Sequence, residues 1–244
     1  MSLDGRRVLV MGGGSGIGEA TAARFAAAGA EVVITGRTRE KLAAAAERIG
    51  GKVTARQVDA TSADDLRALF ADEGSYDHLV LAVSSSLGAG PVATLDLDEL
   101  RAAFDGKYWA HLRTLQAALP RLRRDGSVTF IGAASAQAAM PGTAGLAAIN
   151  GALEAMVPPL AAELAPLRVN AVSPGVIDTP WWSGLPDEQR AELFRQYGGM
   201  IPAGRVGRPE EVADAVVAMA TNGYVTGSVL VCAGGAQLAV HRLG

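Results

Sequence analysis

Cysteine is almost absent from this sequence: Cys232 is the only one among 244 residues. One thiol cannot close an internal disulfide or supply the clustered cysteines of a structural zinc site. The 22 basic and 25 acidic residues leave a net charge of −3, and the arginines are scattered. These balances exclude an electrostatic basis for binding nucleic acid, so we expect neither a metal nor a nucleic-acid partner.

Long hydrophobic runs are also missing. No uninterrupted apolar stretch reaches roughly 18 residues, the length that indicates a membrane-spanning helix. The opening residues, MSLDGRRVLV, lack the apolar core of a signal peptide. We therefore expect a cytoplasmic protein that makes no use of a membrane.

Short apolar segments alternate with longer helical patterns along the whole chain. The predicted strands cover 6–12, 30–36, 52–58, 76–83, 126–132, 167–173 and 227–233. The predicted helices lie near 16–28, 38–49, 62–72, 96–120, 142–164 and 208–220. Continuous apolar strands separated by helices are typical of a parallel sheet covered on both faces. The prediction is one α/β domain over 1–244, a Rossmann-type doubly wound seven-stranded parallel sheet whose ligand crevice lies at the carboxyl ends of the strands.

A glycine-rich turn follows the first predicted strand in VLVMGGGSGIGEATAARF. Glycines let backbone N–H groups approach a pyrophosphate, which then lies on the positive end of the following helix. An ordinary tight turn has a similar composition, but the strand–turn–helix–strand context favours nucleotide binding. The candidate cofactor-binding residues of the turn are Gly12, Gly14, Ser15, Gly16, Ile17 and Gly18.

The second predicted strand ends in ITGRTRE, with Arg37 where a carboxylate would grip an unphosphorylated ribose. A guanidinium can bind a 2′-phosphate through two parallel hydrogen bonds, so Arg37 favours NADP(H) over NAD(H). The alternative is a solvated surface arginine. After the third strand, Asp59 is placed to accept a hydrogen bond from the adenine amino group, with Ala60 beside it.

Several segments together resemble the short-chain dehydrogenase/reductase family: MGGGSGIG, the GR pair, VDAT, RVNAVSPGVIDTP and GRVGRPEEVADAVVAMATNGYVTGSVLV. The resemblance runs over essentially the whole chain. It implies a nicotinamide cofactor, a small-molecule substrate and a homodimer or homotetramer. It also implies that Pro174, Gly175, Ile177 and Thr179 line the nicotinamide side, and that a substrate lid covers about 181–201.

The usual catalytic residues of that family are a Ser, a Tyr, a Lys four residues after the Tyr, and a helix Asn. Laid on the family pattern, the Ser position is Ala133, the Tyr position Leu146, the Lys position Asn150 and the Asn position Lys107. No small shift of register restores the motif. The residues four after each tyrosine are Val80, Leu112, Ile201 and Ser228.

Three residues are candidates to replace the missing groups. Lys107, beside Tyr108 and one turn before His111, can act as an acid, or hold a ribose hydroxyl or an anionic substrate group, once burial lowers its pKa. The alternative is a solvated or structural lysine. Ser135 can polarise a carbonyl if its loop is shifted; the favoured alternative is a loop serine that only caps a turn. Asn150 keeps hydrogen-bonding groups for a ribose but carries no charge.

These features predict an NADP(H)-binding oxidoreductase with a non-standard active site. The lid concentrates Trp181, Trp182, Phe194 and Tyr197 in a chain that is 5 % aromatic. The predicted substrate is therefore a small apolar or aromatic carbonyl, enone or imine. Two alternatives stay open on the same scaffold, namely a non-redox cyclase, isomerase or dehydratase and an NADP(H)-sensing binding protein.

Overall fold

A computed structural model describes residues 2–71 and 74–238. The strands are β1 Arg7–Met11, β2 Glu31–Gly36, β3 Val53–Gln57, β4 Tyr76–Leu81, β5 Leu122–Ile131, β6 Arg168–Pro174 and β7 Val229–Cys232. The α-helices are α1 Gly16–Ala27, α2 Arg39–Ile49, α3 Ala63–Ala71, α4 Leu97–Phe104, α5 Ala110–Ala118, α6 Ala144–Glu163, α7 Asp187–Met200 and α8 Pro209–Thr221.

All seven strands form one parallel sheet in the order β3-β2-β1-β4-β5-β6-β7. The order reverses between β1 and β4, so the loops after these two strands diverge and leave a crevice at their carboxyl ends. The predicted fold class, a doubly wound seven-stranded α/β sheet of the Rossmann type, is confirmed.

Alternation along the strands supplies a core on each face of the sheet. In β1, Leu9 and Met11 belong to the cluster under α5 and α6, whereas Val8 and Val10 belong to the cluster under α1 and α8. Successive residues of a strand point to opposite faces, so an all-apolar strand must be covered on both. The sheet is thereby fixed from two sides, and its carboxyl edge is a rigid base for a site.

The structure corrects two of the predicted elements. The helix predicted over 96–120 is broken by a π-helix at Asp105–Trp109, which joins α4 to α5. The lid predicted over 181–201 contains α7, which no helix prediction covered because Gly198 and Gly199 dilute its helical pattern. The π-helix matters most, since such insertions are frequent at functional sites.

Helix α6 is the one helix of the described residues that is long and apolar enough to span a membrane. Its buried residues include Leu153 and Val157, which belong to the core cluster that lies against the sheet. A core helix of this length has the same composition, so its hydropathy is weak support for a membrane span.

Candidate active site

A cleft of about 1010 Å³ runs along the carboxyl edge of the sheet. Its walls come from the loops after β1, β2, β3, β4, β5 and β6, together with the π-helix, the start of α6 and the lid. All of the predicted cofactor-binding residues line it: Gly12, Gly14, Ser15, Gly16, Ile17, Gly18, Arg37, Asp59, Ala60, Pro174, Gly175, Ile177 and Thr179. Lys107, Ser135 and Asn150 line it as well.

The glycine turn has no room for a side chain at Gly12 or Gly18. Gly12 has a φ of +85°, and a Cβ there would lie 2.8 Å from the backbone of Ala82 in the loop after β4. A Cβ at Gly18 would overlap the carbonyl oxygen of Gly12. Ser15 precedes α1 and makes no capping hydrogen bond with its side chain. The turn therefore presents bare backbone, a free hydroxyl and a helix N-terminus, which fits a pyrophosphate.

Two cations lie at the end of the cleft formed by β2 and β3. Arg37 and Lys41 both line it, with Thr38 between them. Sequence reasoning missed Lys41, although its spacing of four from Arg37 at the start of α2 was a usable signal. Asp59 Oδ1 accepts hydrogen bonds from the backbone and hydroxyl of Thr61. These bonds, led by the backbone N–H, lower the pKa of Asp59, and Oδ2 faces no protein donor in the described residues.

Lys107 lies on the π-helix, and its side chain is buried, with 7 % of the residue exposed. Its Nζ donates to the carbonyl oxygen of Gly132 at 3.2 Å and to Oδ1 of Asn150 at 2.7 Å. Burial lowers the pKa of this ammonium to about 8. A lysine with such partners still carries most of its charge at pH 7, and the proton is more easily given up than in water.

Asn150 joins Lys107 to Ser135. The amide nitrogen of Asn150 donates to Ser135 Oγ at 3.1 Å and to the carbonyl oxygen of Leu146 at 2.8 Å. The three candidate residues, predicted separately from different parts of the chain, therefore form one hydrogen-bonded unit. Ser135 owes its place to a short 3₁₀ turn, Ala134–Ala136, which begins three residues after the end of β5.

His111 lies one turn beyond Lys107 and is fully buried. Its Nε2 lies 3.0 Å from the carbonyl oxygen of Val83, so Nε2 carries the proton. Burial, with the nearby charge of Lys107, lowers the pKa of His111 to about 3. The imidazole is therefore neutral near pH 7 and does not add to the charge of the cleft. Tyr108 packs against the core.

Apolar side chains line the cleft beside these polar groups. Leu146 and Ala133, the positions that the resemblance assigns to the phenol and the hydroxyl, both line the cleft. From the lid, Trp182 donates its indole N–H to the carbonyl oxygen of Ile177 at 3.0 Å. The Trp182 ring contacts the rings of Trp181, Phe194 and Tyr197. Both tryptophans line the cleft, so the aromatic lid forms part of the cavity wall.

Charge is distributed unevenly along the cleft. Among the described residues that line it, the cations are Arg37, Lys41 and Lys107, and the one carboxylate is Asp59 at the far end. The described residues contain no cluster of three His, Cys, Asp or Glu side chains suited to a metal. The arrangement fits an NADP(H) molecule lying from Arg37 and Lys41, over the glycine turn, to Thr179. When bound, this cofactor supplies a hydride at its nicotinamide ring.

The comparisons with known proteins agree with this geometry. The family model described as "Enoyl-(Acyl carrier protein) reductase" matches residues 12–237. Galactitol 2-dehydrogenase (L-tagatose-forming) of Cereibacter sphaeroides is 33 % identical, over 96 % of this chain and 95 % of its own. The 3-oxoacyl-[acyl-carrier-protein] reductase FabG of Thermotoga maritima is 31 % identical, over 96 % and 99 %.

Solved structures of similar proteins match nearly the whole chain. A small-chain dehydrogenase in complex with NADPH has a TM-score of 0.84 at 30 % identity, and the match covers 96 % of this chain and 100 % of that one. A short-chain type dehydrogenase/reductase from Mycobacterium ulcerans has a TM-score of 0.89 at 29 % identity, covering 98 % and 92 %. This chain belongs to the short-chain dehydrogenase/reductase family, whose members are NAD(P)(H)-dependent oxidoreductases.

Proposed function

We propose that this protein is an NADP(H)-dependent reductase of apolar or aromatic α,β-unsaturated carbonyl compounds that works without a catalytic phenol. The observation that carries the proposal is the buried Lys107 ammonium, hydrogen-bonded to Asn150 at the cleft, which Leu146 also lines. NADP(H) is favoured by Arg37 and Lys41 at the ribose end, and by the NADPH complex of a similar dehydrogenase.

The substrate class follows from which anion the site can neutralise. Hydride addition to a simple ketone gives an alkoxide, a strong base that needs a well-placed acid, and the position that the resemblance assigns to the phenol is Leu146, a hydrocarbon that lines the cleft. Hydride addition to the β-carbon of an enone moves the electron pair to oxygen as an enolate, a much weaker base. A nearby ammonium can stabilise that charge and return a proton, so the loss of the phenol costs less.

The net reaction consumes the enone, a hydride equivalent from the cofactor and one proton, and it yields the saturated carbonyl compound. Lys107 or solvent provides the proton. An iminium substrate fits less well because the Lys107 ammonium would repel it, and this repulsion separates the enone from the imine. The aromatic rings of the lid favour a flat substrate over a sugar-like one.

A matched pair of substrates tests the proposal. The purified protein is mixed with NADPH and either 4-phenyl-3-buten-2-one or its saturated analogue 4-phenylbutan-2-one, and NADPH oxidation is followed. We expect the enone to react at least ~10²-fold faster, the size of one acid–base contribution, and the saturated ketone to be the isolated product.

Equal rates for the two ketones would contradict the proposed substrate class. Failure of NADPH to raise the melting temperature would contradict the cofactor assignment. Binding of NADPH without oxidation by any enone, ketone or imine would favour a non-redox enzyme or a cofactor sensor on this scaffold.

A further inference from the structure

The orientation of the Asn150 amide is fixed by two partners, one of which can only donate and the other only accept a hydrogen bond. Lys107 can only donate, so the atom facing it is Oδ1. The Leu146 carbonyl can only accept, so the atom facing it is Nδ2. The same Nδ2 faces Ser135 Oγ at 3.1 Å, and Ser135 must therefore accept this hydrogen bond.

The hydroxyl hydrogen of Ser135 consequently points away from Asn150. It meets no acceptor in the described residues, and Ser135 is half-buried with its side chain in the cleft wall. Lys107 is in a similar position: two of its three N–H groups are used by Gly132 and Asn150, and the described residues provide no acceptor for the third. Two donors at the two ends of one amide are thus left for a ligand.

Neither donor contacts a carboxylate in the part of the chain that the structure describes: Glu154, one turn after Asn150 on α6, is bonded to Ser173 and Gln137. Leu146, Ala133 and Met140 line the same part of the cleft, and the one carboxylate among the described lining residues, Asp59, lies on the loop after β3 at the opposite end. A buried cation that only neutral carbonyls contact is unfavourable unless a ligand completes its coordination. The ligand that would do so is an oxygen anion on a molecule with an apolar body.

We propose that Lys107 and Ser135 form an oxyanion-binding site, organised by Asn150, which takes the charged oxygen of a flat, conjugated substrate. Charge-assisted hydrogen bonds of this kind are roughly twice as strong as neutral ones. The inference deepens the proposed function, because an enolate formed by hydride addition is such an anion. The inference also goes beyond the reaction, because the same site should bind a stable phenolate in the protein without cofactor and without turnover.

Binding of 4-nitrophenol tests the site, because its visible absorption distinguishes the phenolate from the phenol. The ligand is titrated with the full-length protein without cofactor, across a range of pH. We expect the phenolate to bind at least about tenfold more tightly than the phenol, which lowers the apparent pKa of the bound ligand by about one unit. Lys107→Met should abolish this preference, and Ser135→Ala should weaken phenolate binding about three- to tenfold.

Two further variants serve as controls, one conservative replacement at Lys107 and one lysine removed elsewhere. Lys107→Arg retains charge and donors and should restore part of the preference, whereas Lys52→Met, which removes an exposed lysine outside the cleft lining, should leave it unchanged. The inference is overturned if the ligand binds as the neutral phenol, if Lys107→Met binds phenolate as well as the unaltered chain does, or if nothing binds. An unchanged Ser135→Ala variant overturns the role of Ser135. Because no cofactor is present, these outcomes are independent of whether enones oxidise NADPH.

Discussion

The two ends of the cleft are built from different chemical groups, namely backbone at the nucleotide end and side chains at the substrate end. At the nucleotide end, glycines without room for a Cβ leave bare backbone beside a helix N-terminus. At the substrate end, three side chains from a π-helix, a 3₁₀ turn and α6 meet in one hydrogen-bonded unit. A backbone site that depends on such crowded glycines tolerates few substitutions at them, whereas a site made of side chains can be rebuilt by exchanging residues on a fixed frame.

The largest expected effect is at the backbone end. Gly12→Ala would put a Cβ 2.8 Å from the Ala82 backbone at a φ of +85°. Overlap and the left-handed conformation together should cost about 3–5 kcal/mol of the free energy of unfolding. NADPH binding should fall with it, as measured by the cofactor-induced rise in melting temperature.

Gly151→Ala is the matched control for that change. Gly151 lies within α6, and a Cβ there meets no atom within 4 Å. Alanine is the better helix former, so this variant should gain up to about 1 kcal/mol. Equal losses in the two variants would show that the crowding at the turn is not what matters.

The next effect concerns the buried charge at the substrate end. The unfolded chain binds a proton on Lys107 below pH 10.5, whereas the folded chain does so only below about pH 8. Between these values the unfolded state holds more protons, so stability rises with pH. The difference in free energy of unfolding between the unaltered chain and Lys107→Met should therefore increase by up to about 3 kcal/mol across this range.

Chemical denaturation at a series of pH values measures that difference. Lys52→Met serves as the control, because Lys52 is exposed and its removal should give no such slope. A constant difference between the unaltered chain and Lys107→Met would contradict the buried, depressed ammonium on which the substrate end depends.

Sequence reasoning reached the nucleotide end more completely than the substrate end. The fold and the glycine turn could be predicted because apolar periodicity and glycine spacing are local signals, and Arg37 lay next to a strand end. Lys107, Ser135 and Asn150 were each identifiable as candidates. Their mutual hydrogen bonds were not, because they depend on a π-helix and a 3₁₀ turn that no local pattern marks. Helix α7 was missed because Gly198 and Gly199 interrupt the helical pattern near its end.

Cofactor selectivity is expected to change by a smaller amount. Arg37→Gln and Lys41→Gln each remove one cation from the ribose end while keeping a hydrogen-bonding side chain. Each should reduce the preference for NADPH over NADH about tenfold or more, the size of one charge-assisted hydrogen bond. The dissociation constants of both cofactors, measured by fluorescence, give the ratio.

Arg39→Gln provides the contrast to these two changes. Arg39 is exposed at the start of α2 and does not line the cleft, so its removal should leave the ratio unaltered. If Arg39→Gln lowers the ratio as much as Arg37→Gln does, general electrostatic attraction governs selectivity and the cleft does not.

The smallest effect is expected in the lid. Within residues 2–71 and 74–238, the Tyr197 hydroxyl meets only Met140 Sδ at 3.5 Å, a weak acceptor, whereas the Tyr197 ring packs against Trp182. Tyr197→Phe should therefore change the free energy of unfolding by less than about 0.5 kcal/mol and leave KM for an aromatic enone almost unchanged. Tyr197→Leu removes the ring contact and should cost about 0.5–1.5 kcal/mol and raise KM. If the phenylalanine variant is as impaired as the leucine variant, then the hydroxyl, and not the aromatic face, connects the lid to the substrate end of the cleft.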